Sequence, residues 1–266
     1  MTNRTREETP VAGSIRAWEL LRETSSRRSL GWRRLAESFY YPTADWVNSL
    51  LAGDVGRDLR ASISWLDSDR EMFDPALDLL GRYVDSRATS KPASVQQDLE
   101  VEYSRLFIGP IREPPAQPYE SVWMDRDPDS GRPIFGGPSM ASVEQAYARH
   151  GLARTAEHTD MVDHIATEIE LMCYLTDKEA AAWGAGDIEV AKELRSSEHA
   201  FLSEHLGRFA PEICDAVGKA ASEDPYAAFA GFLLAFLAVE SGTPYMEVVA
   251  SIWSSPEPPP GAPPAA

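Results

Sequence analysis

The chain is short of cysteine, basic charge, long apolar runs and strand-like alternation, and each shortage excludes something. Its two cysteines, Cys173 and Cys214, lie far apart without metal-ligand spacing. No disulfide framework or zinc site is implied, and core packing suits both thiols in a reducing compartment. No stretch approaches the roughly 18 uninterrupted apolar residues that a membrane-crossing helix needs. The most apolar segment, 227–239, is shorter and lies between charges. A cytoplasmic chain without stable membrane insertion is therefore expected. Only 25 basic residues face 42 acidic ones, for a net charge of -17. That balance disfavours nucleic acid, whose phosphates need Lys/Arg clusters, and suits a cationic partner such as a basic peptide. The sequence also lacks a phosphate-cradling Gly-x-x-x-x-Gly-Lys-Ser/Thr loop and any His-Glu-x-x-His or Glu-x-x-His pair.

What is present is helical periodicity. Hydrophobic residues make up 43% of 266 residues, enough for a substantial core. The spacing predicts helices over 30–39, stopped by Tyr41-Pro42, and from Thr43, a suitable N-cap. Others are expected over 58–66, 74–86, 92–107 and 139–150. The longest is expected over 159–182, with Thr159 or Asp160 as N-cap. A helix capped by Asp187 should end at Pro211, which opens a short one. Asp224-Pro225 and Thr243-Pro244 each pair an N-cap with proline at the first helical position. The expected architecture is all-α, a single bundle of about ten helices. It comprises a partly ordered N-terminal segment over 1–29, one helical domain over 30–253 and a disordered Pro-rich tail over 254–266.

Two segments break this texture. Residues 109–138 hold seven prolines, too many for a continuous helix. Tyr119, Trp123 and Phe135 argue that this long loop is ordered. Ser26-Arg27-Arg28-Ser29-Leu30 has the look of a twin-arginine export motif, but Gly31-Trp32-Arg33-Arg34 follows instead of an apolar stretch. These arginines are read as helix surface and the chain as not exported.

The loop and its neighbours carry a set of motifs in order. Tyr103-Ser104-Arg105-Leu106-Phe107-Ile108-Gly109-Pro110 precedes Pro118-Tyr119-Glu120-Ser121-Val122-Trp123. Then come Asp163-His164 with Glu168 four residues after the histidine and Met172 beyond, a Phe-Leu-x-x-His-Leu element over 201–206, and Asp224-Pro225-Tyr226. The order resembles the TorD/DmsD/NarJ family over roughly residues 30–239, with Phe209 where the family often has tryptophan.

The resemblance implies a single all-helical domain without catalytic turnover or a cofactor of its own. Its partner would be the apo catalytic subunit of a molybdenum-cofactor oxidoreductase, bound through a twin-arginine signal peptide or N-terminal segment. It would restrain export until the cofactor is inserted. Such a signal is basic at one end and apolar beyond, so its seat needs carboxylates beside an apolar groove. On the expected long helix, Asp160, His164 and Glu168 recur every four residues, next to Met161, Ile165 and Ile169. Asp163 lies beside them, and Tyr119, Glu120, Ser121 and Trp123 on the loop complete an acidic and aromatic candidate site.

Structural readings stand beside these. Tyr119, Glu120 and Ser121 also suit pins holding the loop to the bundle, and His164 a partly buried histidine that orients it. Tyr103, Leu106 and Phe107 suit the core, and His205 a packing or capping role. A metal-dependent helical enzyme using Asp160, His164 and Glu168 is the alternative function, although His199 and His205 do not share a helix face. The long loop leaves a monomer and a domain-swapped dimer both open.

Overall fold

A computed structural model describes residues 12–66, 69–109, 114–153 and 160–242, with side chains from Trp18 onward. The described chain is all-helical and contains no strand. It runs α1 (Ala12–Phe39), α2 (Ala44–Leu51), α3 (Asp54–Ser62), a 3-10 turn (Asp69–Phe73), α4 (Asp74–Ser86), α5 (Pro92–Tyr103) and a π turn (Ser104–Ile108). The short α6 (Glu120–Met124) lies within the proline-rich loop. Then follow α7 (Pro138–Arg149), α8 (Ile165–Ala185), α9 (Ile188–Phe201), a second π turn (Leu202–Leu206), α10 (Gly207–Ala220) and α11 (Asp224–Glu240).

Local chemistry sets most of these boundaries. Thr43 Oγ1 accepts the Trp46 N–H at 3.3 Å to open α2, and Asp187 Oδ1 accepts the Val190 N–H at 3.2 Å to open α9. Proline occupies the first turn of α4, α5, α7 and α11, where its missing N–H costs nothing. Gly186, at φ 73°, closes α8 in the left-handed conformation that favours glycine.

Four expectations are corrected. The helix expected from Leu30 begins at Ala12, so α1, with 28 residues, exceeds α8, with 21. The helix expected over 58–66 is displaced to Asp54–Ser62. The N-cap of α8 is His164, not Thr159 or Asp160, because its imidazole Nδ1 accepts the Ala166 N–H at 3.2 Å. Pro211 does not open a helix but sits inside α10, just after the π turn. The wider π turn presses the Leu202 carbonyl against Gly207, where a Cβ would lie 2.5 Å from that oxygen. The helix expected from Thr243 and the tail lie outside the described residues.

The main core lies where α1, α4, α8, α10 and α11 meet. α11 is buried on most of its circumference, with Phe236 edge-on to Trp32 at 4.7 Å and Phe232 against Phe73 at 4.8 Å. Phe209 and Cys214 are core residues, whereas Cys173 is only partly buried. The N-terminal half of α1 packs elsewhere. Trp18 and Leu21 join Ala182, Trp183 and Ala191 in a separate small cluster, with Trp18 and Trp183 5.3 Å apart.

Candidate functional site

The proline-rich loop is fastened to the start of α8 by backbone bonds. Pro118 O accepts the Ile165 N–H at 2.7 Å, and Asp163 O accepts the Glu120 N–H at 2.9 Å, pairing Tyr119 with His164 in an antiparallel bridge. Asp163 Oδ2 accepts the Ser121 N–H at 3.1 Å, and Ser121 Oγ accepts the Gly136 N–H at 3.1 Å. The Trp123 indole donates to Gln117 O at 2.7 Å. The Tyr119 ring meets Phe135 edge-on at 4.8 Å and His164 at 5.3 Å.

Beneath this strap lies a buried acid group. Glu120, Asp163 and Glu168 are each at most 1% exposed. Glu120 Oε2 lies 3.0 Å from His205 Nδ1, whose Nε2 is 3.3 Å from Ser142 Oγ. Among the described residues no donor reaches either oxygen of Glu168. Burial, followed by the charges of Glu120 and Asp163, raises its pKa well above the usual carboxylate range and so favours the neutral acid.

Six of the eight candidate residues thus converge: Tyr119, Glu120, Ser121, Asp163, His164 and Glu168. Trp123 shares α6 but turns to Gln117. Asp160 stands apart, because α8 begins at Ile165 and the expected helical face of Asp160, His164 and Glu168 does not form. No group of three His, Cys, Asp or Glu side chains able to hold a metal ion occurs among the described residues.

Asp160 lies instead on the rim of a cleft of about 620 Å³ between α1, α2 and α8. Glu37, Asp45 and Glu170 also line it, opposed by Arg34, with Tyr40, Tyr41 and Trp46 as aromatic walls. Arg34 is committed to Asp58 at 2.6 Å and Glu37 at 2.7 Å. The Tyr40 hydroxyl donates to Glu170 at 2.9 Å, and its ring stacks parallel to His164, 5.9 Å away. His164 so connects the exposed cleft to the buried acids.

Residue patterns had not singled out Tyr40, which falls within no motif, or Glu170, which lies inside the Asp163–Met172 segment but outside its marked positions. His205 was marked by the Phe-Leu-x-x-His-Leu element, which now proves to be the second π turn. The reading of both twin arginines as helix surface is corrected: Arg28 is fully buried and ion-paired with Glu179, Glu198 and Glu240.

Fold and site together describe an all-helical protein with an acidic, aromatic cleft beside a loop pinned over buried carboxyls. The sequence model of the family described as nitrate reductase delta subunit matches residues 67–215. The chain belongs to that family, the NarJ/TorD-type molybdoenzyme chaperones, which are non-catalytic. Among curated proteins, none matches the chain.

Proposed function

We propose that the chain acts in the cytoplasm on the apo catalytic subunit of a molybdenum-cofactor oxidoreductase. It binds that subunit's twin-arginine signal or N-terminal segment, assists cofactor insertion and assembly, and delays export until both are complete. The chain itself performs no turnover. The observation that carries this reading is the cleft at Asp160, where four carboxylates face a single arginine already paired on two sides. Such a seat favours the basic end of a peptide, and its aromatic walls suit guanidinium stacking. The net charge of -17 adds long-range attraction.

In this reading Tyr119, Glu120, Ser121, Trp123, Asp163, His164 and Glu168 support the cleft. They hold the loop and the start of α8 in place, and through His164 they position Tyr40. Affinity purification of the tagged chain should recover a molybdoenzyme catalytic subunit. Calorimetric titration with that subunit's N-terminal peptide should show about 3- to 10-fold weaker binding to Asp160→Asn and to Glu170→Gln, since one exposed charge contact contributes roughly 1 kcal/mol. Recovery of no such subunit, or unchanged affinity in both variants, would refute the assignment.

A further inference from the structure

Arg28 sits in a cradle with the form of a dedicated arginine site. Its Nε and Nη2 donate to the two oxygens of Glu240 at 2.7 and 2.5 Å, a bidentate pairing. Nη1 donates to Glu179 at 2.7 Å, and Nη2 also to Glu198 at 2.5 Å. Arg195 completes the group, reaching Glu198 at 2.8 Å. All three glutamates are fully or almost fully buried, and one oxygen of Glu198 has no partner among the described residues. Without Arg28 the cradle would hold, among the described residues, three carboxylates against one guanidinium, a strong demand for another arginine.

The segment that fills this cradle, Ser26-Arg27-Arg28-Ser29-Leu30, is the one with a twin-arginine pattern. It belongs to the N-terminal half of α1, which packs on α8 outside the main core. From Trp32 onward α1 enters the main core, whereas Trp18 and Leu21 reach only the small satellite cluster. Gly31 marks the passage between the two, where α1 approaches Phe236 and Ser62 so closely that a Cβ would lie 2.9 Å from each. Glu170 lines the acidic cleft and Glu179 the cradle, nine residues apart on α8; at about 3.6 residues per turn they lie on opposite faces of the helix, so the cradle is a site separate from the cleft.

We propose that the Glu179–Glu198–Glu240 cradle is an arginine-binding site in which Arg28 is an internal stand-in, displaced by an arginine of a client's twin-arginine segment when the N-terminal half of α1 lifts away. The proposal rests on the functional reading above and adds a second seat. The cradle takes the arginine, while the cleft at Asp160 and Glu170 remains a seat for other basic residues of the client. Exchange of one arginine for another keeps the buried carboxylates paired, which simply lifting the N-terminal half of α1, here a strap over the cradle, would not.

A locked strap tests this in the full chain. Ser29 Oγ lies 3.5 Å from Cys173 Sγ, so Ser29→Cys places two thiols in position for a disulfide that holds Arg28 against α8. The probe is a fluorescent synthetic peptide reproducing residues 18–34. It should bind the wild type and reduced Ser29→Cys alike, and at least tenfold more weakly after diamide oxidation of the variant. Dithiothreitol should restore binding, and diamide should leave the wild type unchanged. Lysine in place of the arginine at peptide position 28 should also weaken binding tenfold, because it cannot form the bidentate pair. Should mass spectrometry show no disulfide, Leu21→Ala supplies the second readout, since it loosens the strap without touching the cradle and should tighten peptide binding tenfold. Equal affinity in oxidised and reduced forms, unchanged affinity in Leu21→Ala where that readout is needed, or no peptide binding at all overturns the proposal. Continued recovery of a molybdoenzyme subunit in those cases would leave the chaperone reading standing.

Discussion

The buried cluster around Arg28 makes a specific demand on pH. Among the described residues two guanidinium groups face three carboxylates there, so full ionisation places an excess of negative charge in the interior. Glu198 bears that excess. Burial pushes its pKa from the ordinary 4.5 up to about 7, against the pull of Arg28, with Glu179 adding to the rise. A carboxyl whose folded pKa is raised binds its proton more tightly in the folded chain. Its stabilising contribution is complete below pH 4.5 and is lost as pH rises through about 7. A pKa moved from 4.5 to about 7 corresponds to about 3 kcal/mol over the whole titration.

Glu198→Gln removes the titration and keeps a carbonyl acceptor for the arginines. Urea unfolding followed by tryptophan fluorescence at pH 5 and pH 8 should show the variant gaining about 2.5 kcal/mol on the wild type between the two, roughly 5–10 °C in melting temperature. Other titrating groups are common to both proteins and cancel in the difference. A wild-type minus variant difference that stays constant within about 0.5 kcal/mol from pH 5 to pH 8 would refute the argument.

Glu168→Gln should behave with the same sign, because burial, followed by the charges of Glu120 and Asp163, raises the pKa of the acid it replaces. The variant should gain on the wild type as pH rises, and an infrared carboxylic-acid carbonyl band present in the wild type at neutral pH should disappear. His205→Ala strands the buried carboxylate of Glu120 and should cost about 3 kcal/mol in urea unfolding; a loss under about 1 kcal/mol would show that Glu120 finds another donor. Gly207→Ala drives a Cβ toward the Leu202 carbonyl and should cost about 1–3 kcal/mol. Calorimetry checks this, and an unchanged melting temperature would mean that the π turn relaxes freely.

Local chemistry in the chain was enough to define the class of fold. The caps at Thr43 and Asp187, the prolines of α4, α5, α7 and α11 and the apolar stripes of α8 and α10 all act within one or two turns of the chain. The sequence alone therefore determined an all-helical bundle broken by an ordered proline-rich loop, and its motif order pointed to the family. The start of α1 was not legible, because residues 12–29 are rich in polar side chains and become helical through packing on α8 and the Trp18–Trp183 contact. Nor was the start of α8, where a histidine ring rather than a serine, threonine or aspartate caps the helix.

Only the tertiary structure decided what the charged residues do. Glu120, Glu168 and His205 come from three separate segments, and Tyr40 meets Glu170 and His164 across 124 residues or more of chain. Arg28 reads as surface in its own neighbourhood, with Arg27 beside it and Arg33 and Arg34 just beyond, yet it is the one sealed inside. The glutamates that make its burial possible lie 151, 170 and 212 residues away. Charge burial depends on partners from the whole chain, and those partners are brought together only when the helices pack.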